Sequence, residues 1–216
     1  MSKTKTSLEE LEENHQAYLQ RKDLYKDKGL DQEQARKNII NKLDPGHKQI
    51  LEIGTGKGYL TIMLAQNFPK IVTVDIDVEE QRIAKMNIEY AGYKDKVKFV
   101  ISNTKSLLYK KKSFDAVVSA FTFHHLKEPY TVLDEMIKLT KHQLIISDFN
   151  DYGFSIIEKI QKLEGRSHHR ECGDFNIVGT YLEKNGFLIN EFEDEWQKMY
   201  IGEKTSKILK SIEHDL

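Results

Sequence analysis

The chain has 216 residues, 39% hydrophobic and 31% charged, with a formal net charge of −1, which suits one domain with a real core and leaves no overall electrostatic footprint for nucleic acid. Its single cysteine, Cys172, excludes an internal disulfide and fits a reducing cytoplasm. The N-terminus "MSKTKTSLEELEENHQ" lacks the apolar core of a signal peptide. No run approaches the roughly 18 apolar residues of a membrane span, so a cytoplasmic protein is expected.

Residues 7 to 43 carry a helical pattern. Ser7 with Glu10 and Asp31 with Gln34 resemble capping boxes, "KGLD" divides the region into two helices, and "DPG" ends it. This stretch, residues 1–46, reads as a helical extension that either decorates a core domain or forms a lid over a ligand site.

From Gln49 strands and helices alternate. "ILEIG" is a strand, Tyr59 to Asn67 a helix closed by Pro69, "IVTVD" a strand, and Val78 to Ala91 a helix stopped by Gly92. "VKFVIS" and "FDAVVSA" are strands, Tyr130 to Thr140 a helix, and "QLIISDF" from Gln143 a strand. Strands apolar on both faces belong to a parallel sheet covered by helices on each side. The expected fold is α/β, a doubly wound, mostly parallel seven-stranded sheet. A helix over Ile156 to Leu163, one over Phe175 to Asn185 stopped by Gly186, and a C-terminal antiparallel hairpin with its polar turn at Glu193 to Glu195 complete it. We expect one domain, with residues 47–150 as the cofactor-binding core and 151–216 on the substrate side.

The stretch "QILEIGTGKGYL" carries the chemistry. In a doubly wound sheet ligands bind outside the carboxyl ends of the strands, and glycines at 54, 56 and 58 let the backbone turn sharply and approach a ligand. The dinucleotide fingerprint wants its third glycine at position 59, which is Tyr59, and the P-loop's Lys-Ser/Thr is absent. Glu52 would repel a pyrophosphate but welcomes an amine or hydroxyls. Asp75, ending the second strand, can accept hydrogen bonds from ribose hydroxyls, whereas Asp77 is better placed to cap the following helix.

Together, "EIGTGKG", "VTVDID" and "VKFVISNTKSLLYKKKSFDAVVSAFTFHHL" resemble the S-adenosylmethionine-dependent methyltransferases of the Rossmann-like class, in particular its UbiE-like small-molecule enzymes. The resemblance covers residues 48 to 150 well. It implies S-adenosylmethionine as cofactor, held by Glu52, Gly54, Thr55, Gly56, Gly58, Asp75, Ile76, Asn103, Thr104 and Ala120. Asn103 stands where the family usually has Asp beside the adenine; its carbonyl still offers an acceptor to the adenine amino group. Ser102 replaces the usual glycine and Leu108 the usual proline. The implied reaction is in-line methyl transfer from a sulfonium, in which proximity and orientation do most and a base helps only a protonated nucleophile.

"AFTFHHL" follows the fourth strand and should lie beside the transferring methyl, which makes His124 and His125 candidates for catalysis, or for local packing. "SHHREC" adds His168, His169 and Cys172 in the segment expected to cover the substrate. With His124 and His125 these types suit a soft metal such as zinc, yet adjacent histidines cannot easily share one ion, so no metal ligand is assigned. Tyr18, Tyr25, Phe121, Phe123, Tyr152 and Phe154 either line the pocket or pack in the core. The expected function is methylation of a small-molecule acceptor. The alternatives are a protein or RNA acceptor engaged through Lys105 and Lys110 to Lys112, and a non-catalytic S-adenosylmethionine-binding or partner subunit. Nucleic acid and membrane are not expected partners.

Overall fold

In the computed structural model, which describes residues 7–105, 107–165 and 169–204, a seven-stranded sheet has the order β3-β2-β1-β4-β5-β7-β6. The strands are β1 (Gln49–Ile53), β2 (Lys70–Asp75), β3 (Val97–Ile101), β4 (Phe114–Ala120), β5 (Thr140–Phe149), β6 (Phe187–Glu193) and β7 (Gln197–Lys204). The first five run parallel, β7 is antiparallel to β5, and β6 closes the C-terminal hairpin. The helices are α1 (Leu8–Asp27), α2 (Gln32–Ile40), α3 (Tyr59–Asn67), α4 (Val78–Tyr90), α5 (Pro129–Leu139), α6 (Asp151–Leu163) and α7 (Ile177–Lys184). This is the doubly wound architecture that the alternation implied. Among the described residues no helix is long and apolar enough to cross a membrane.

The period-two alternation of the strands sorts their side chains into two core layers. Leu51, Ile53, Val72, Val74, Val117, Leu144 and Ile146 pack under α5 and α7, against residues such as Leu133, Met136 and Leu182. Ile50, Ile71, Ala116, Val118 and Ile145 face the other way, against Ile39 of α2 and Leu60 and Leu64 of α3. A third cluster of Tyr25, Leu30, Phe149, Phe154, Ile157 and Ile160 joins α1 to α6 above the carboxyl end of the sheet.

Local chemistry sets the helix starts. Ser7 Oγ accepts the Glu10 N–H at 3.1 Å, and Asp31 Oδ1 accepts that of Gln34 at 2.9 Å. Asp77 accepts both Glu79 and Glu80 N–H groups at 2.8 and 2.9 Å, so it caps α4 as its position implied. The N-terminal pair is tied to the C-terminal hairpin: Trp196 Nε1 donates to the Gly29 carbonyl at 2.7 Å, and Asn38 donates to Asp194 at 2.7 Å.

Three boundaries differ from expectation. Helix α5 stops at Leu139, and Thr140 opens β5 three residues before Gln143 by pairing with Phe114 across an irregular register. Helix α6 begins at Asp151 rather than Ile156, because the Asn150 side chain accepts the Gly153 N–H at 2.9 Å and caps it. Helix α7 spans Ile177 to Lys184, shorter than the Phe175–Asn185 pattern, since Phe175 packs into the core ahead of the first turn.

Candidate functional site

The sheet order reverses between β1 and β4, and the crevice above their carboxyl ends is where a doubly wound sheet binds ligands. A cavity of about 720 Å³ lies there, within the range of small-molecule sites. Its floor is the loop after β1. Gly54, Gly56 and Gly58 have φ of +88°, +48° and +80°, the left-handed region that favours glycine. A Cβ on Gly54 would meet Thr122 Oγ1 at 2.1 Å, so β1 passes tightly against the loop after β4. A Cβ on Gly56 would meet nothing within 4 Å, because that residue faces open cavity.

Asp75 braces this loop. Its Oδ2 accepts the Gly56 N–H at 2.7 Å and its Oδ1 that of Asp77 at 3.0 Å. Beneath the loop, the hydroxyls of Thr55 and Thr73 lie 2.6 Å apart, and Thr73 donates to Glu52 Oε2 at 2.6 Å. Thr61 donates to the same oxygen at 2.6 Å, while Glu52 Oε1 is buried with no hydrogen-bond partner among the described residues. Burial pushes the Glu52 carboxyl up to about 7, against the opposing pull of the two threonine hydroxyls and Arg36.

Arg36, from α2, enters from above. Its guanidinium sits over the rings of Tyr59 at 5.4 Å and Phe121 at 5.2 Å and donates to the Gln32 carbonyl at 2.9 Å. Desolvation holds its pKa below the ordinary guanidinium value, and among the described residues no carboxylate lies within ion-pair distance of it. Arg21, Tyr25 and Gln32 complete the wall that the N-terminal helices give the cavity, and Ile157 and Gln161 of α6 the wall opposite.

The other side of the cavity is built on the chain between β4 and α5. Phe121 holds a left-handed φ of +54°, costly for an aromatic residue, with its N–H bonded to the Ser147 carbonyl at 2.9 Å. A 3-10 turn over Phe123–His125 follows. There His124 Nδ1 lies 2.7 Å from Asp148 Oδ1, and its backbone N–H donates to Asp148 Oδ2 at 2.8 Å. His124 and Asp148 are 3% and 1% exposed, so this pair is sealed from solvent, His124 Nε2 included. A carboxylate at Nδ1 holds the proton on that nitrogen and leaves Nε2 as the basic one. His125 is exposed, and its Nδ1 lies 3.1 Å from the His169 carbonyl. The His124 carbonyl accepts the N–H groups of Glu171 and Cys172 at 2.7 and 3.1 Å, so the "HREC" segment docks on this turn, although none of its residues lines the cavity.

Every residue expected to hold the cofactor lines the cavity except Gly58, as do His124 and His125. Gly58 instead turns the chain into α3, where a Cβ would lie 3.0 Å from that of Ala84. Ile76 sits 69% exposed at the mouth, Thr104 holds a left-handed φ of +63°, and Ala120 ends β4. Asn103 is exposed, and its side-chain carbonyl, expected to face a base, accepts the Lys105 N–H at 3.2 Å. Tyr25 and Phe121 line the cavity, Phe123 and Phe154 belong to the core, Tyr152 is half-exposed, and Tyr18 reaches the site only by packing edge-on to Tyr59. No group of three or more metal-ligating side chains occurs among the described residues, and His168 lies outside them. Burial raises the Cys172 thiol, which disfavours a thiolate nucleophile.

Asp148 and Arg36 are the residues that reading the sequence missed. Asp148 carried a signal, a carboxylate at the carboxyl end of a parallel-sheet strand; Arg36 carried none.

Residues 51–146 match the family model described as a methyltransferase domain. The chain is 29% identical over 132 residues to a ubiquinone/menaquinone biosynthesis C-methyltransferase of Wigglesworthia glossinidia brevipalpis, covering 57% of this chain and 52% of that protein. It is 30% identical over 136 residues to a protein-L-isoaspartate O-methyltransferase of Petrotoga mobilis, covering 61% and 62%. These matches thus span little more than half the length of either relative. Among solved structures, magnesium protoporphyrin IX methyltransferase of Synechocystis with bound S-adenosylhomocysteine shares the fold at a TM-score of 0.61 and 20% identity, covering 80% of this chain and 82% of that one. Over residues 51–146 the chain thus resembles a methyltransferase domain, and its fold is that of solved S-adenosylmethionine-dependent methyltransferases.

Proposed function

We propose that this protein transfers a methyl group from S-adenosylmethionine to an oxygen nucleophile of a small molecule in the cytoplasm. The observation that carries the acceptor class is the buried His124–Asp148 pair at the cavity wall. A carbon or amine nucleophile that arrives deprotonated needs no base, whereas a hydroxyl gains from one.

The donor set fits the cofactor. Two carboxylates, Glu52 and Asp75, flank the glycine loop and would repel a pyrophosphate. Asp75 uses one lone pair of each oxygen on the loop, which leaves acceptor capacity for two ribose hydroxyls. Open space at Gly56 lets a ligand approach the backbone closely. Arg36 suits a carboxylate and Glu52 an ammonium, the two ends of an amino-acid tail. Ile76, Asn103 and Thr104 are left for the adenine, with the Asn103 amide as donor to a ring nitrogen.

When bound, the cofactor supplies an electrophilic methyl group on a sulfonium. His124 takes the proton of the acceptor hydroxyl at Nε2, and Asp148 holds the ring in that tautomer and stabilises the imidazolium. The aromatic floor of Phe121 and Phe149 and the walls from α1, α2 and α6 exclude water and orient the acceptor. A concave cavity of about 720 Å³ walled by α1, α2 and α6 favours a small acceptor over a protein or RNA.

A screen of phenols, hydroxy acids and other hydroxylated small molecules, read as S-adenosylhomocysteine release, tests this reading. Turnover with a hydroxylated acceptor is the expected result. Cofactor binding without release from any acceptor would instead indicate a protein that holds S-adenosylmethionine without transferring its methyl group.

A further inference from the structure

Glu52 is a buried charge site built without a fixed counterion. It is 1% exposed in the middle of the sheet, with Thr73 of β2 and Val118 of β4 as its neighbours across the ladder. Oε2 takes the hydroxyls of Thr61 and Thr73, and Oε1, on a residue that lines the cavity, takes none. Two charged groups act on it, Arg36 from α2 and Asp75 from β2. Arg36 is not hydrogen-bonded to it but spends its contacts on Gln32 and two aromatic rings. A carboxylate so placed lacks both water and a salt bridge, and a neutral carboxyl is the cheaper state. A cation arriving in the cavity reverses that preference.

We propose that seating the cofactor's ammonium beside Glu52 expels the proton from this carboxyl, so that binding of the amino-acid tail is coupled to proton release. The inference rests on the S-adenosylmethionine reading of the cavity. In the exchange, the Glu52 carboxyl and the ligand's –NH3+ become a carboxylate–ammonium pair, and the proton passes to solvent; no other bond changes. Burial already places the empty-site carboxyl at about 7, so the empty site is a mixture of both forms near neutrality. Asp75 pushes that value up; the hydroxyls of Thr61 and Thr73 and the charge of Arg36 pull it down. Because the loaded state prefers the carboxylate, affinity falls as pH drops below about 7, by about fivefold between pH 7 and pH 6. The ligand's own amine, with an ordinary value of about 7.7–8.0, stays charged through the lower part of that window.

The test is calorimetric titration of the full chain at about pH 6.5, in buffers of different ionisation enthalpy, with two probes. S-adenosylhomocysteine carries the amino-acid tail; 5′-methylthioadenosine keeps the nucleoside and thioether but lacks the tail. The expected result is release of more than about half a proton with the first and none with the second. Equal release with both, or none with S-adenosylhomocysteine, overturns the coupling while leaving the cofactor reading intact. Failure of folded protein to bind either probe overturns the cofactor reading, and the coupling with it. Glu52→Gln, isosteric and neutral, should bind S-adenosylhomocysteine with no proton release and a flat affinity from pH 6 to about 7.5. Proton release unchanged in that variant also overturns the coupling.

Discussion

Asp148→Asn is expected to lower kcat for a hydroxyl acceptor by about 10²-fold or more while leaving the affinity for S-adenosylmethionine within about twofold. The carboxylate makes three contacts with the histidine turn and its own strand: His124 Nδ1 at 2.7 Å, His124 N–H at 2.8 Å and Phe149 N–H at 2.8 Å. An amide of the same shape keeps the packing, but its NH2 end can donate to Nδ1 and so favours the wrong tautomer, with the proton on Nε2. Proton abstraction fails in that tautomer, whereas the glycine loop, at the other wall of the cavity, is untouched. His124→Ala should give a comparable loss in kcat, and the double variant little more, because the two act as a unit. A pre-ionised acceptor should lose far less in either variant. Wild-type kcat in Asp148→Asn would remove the base from the mechanism and return His124 to a packing role.

Gly54→Ala is expected to cost about 2–4 kcal/mol of stability and to abolish measurable cofactor binding in whatever protein folds. Two effects add. The residue sits at φ +88°, where a Cβ is strained. That Cβ would also lie 2.1 Å from Thr122 Oγ1 and 2.8 Å from its Cγ2, too close for side-chain adjustment alone. Thr122 is held by its own bond to the Ala120 carbonyl at 3.1 Å, and its carbonyl accepts the His125 N–H at 3.0 Å. Displacing it therefore drags both the end of β4 and the histidine turn. Gly92→Ala is the control: its φ is +78°, but nothing lies within 4 Å of the added Cβ. It should lose about 1 kcal/mol by the strain alone. Equal losses in urea unfolding of the two variants would show that the contact with Thr122 is not tight.

What the sequence disclosed and what it hid divide along physical lines. The alternation that identified β1, β2 and β4 is local, because each strand writes its own two faces into consecutive residues. Asp77 as cap of α4 was legible for the same reason: its partners are the next two or three residues. Asn150 was a cap of the same kind, but the polar "NDYG" around it hid the start of α6. The start of β5 at Thr140 depended on an irregular pairing with Phe114, a partner the local pattern does not name. At the site, the glycines and Asp75 could be placed because a doubly wound sheet fixes what the loop after its first strand must do. Arg36 could not, because its importance arises only when α2 brings it between Tyr59 and Phe121, from three separate parts of the chain. Asn103 is read through its chemistry alone: Oδ1 accepts the Lys105 N–H at 3.2 Å, which leaves that oxygen a second lone pair and the amide its hydrogens for a base.

The central claim is that the cavity over the glycine loop seats S-adenosylmethionine through Asp75. Calorimetric titration of S-adenosylmethionine into the full chain and into Asp75→Ala tests it most directly. Asp75 is expected both to take the ribose hydroxyls and to hold the Gly56 N–H at 2.7 Å, so its loss removes ligand contacts and slackens the loop together. Two charge-assisted hydrogen bonds amount to about 3 kcal/mol, so saturable binding by the wild type should weaken by about 10²-fold in the variant. No binding by folded wild-type protein, or unchanged binding by Asp75→Ala, would contradict the account.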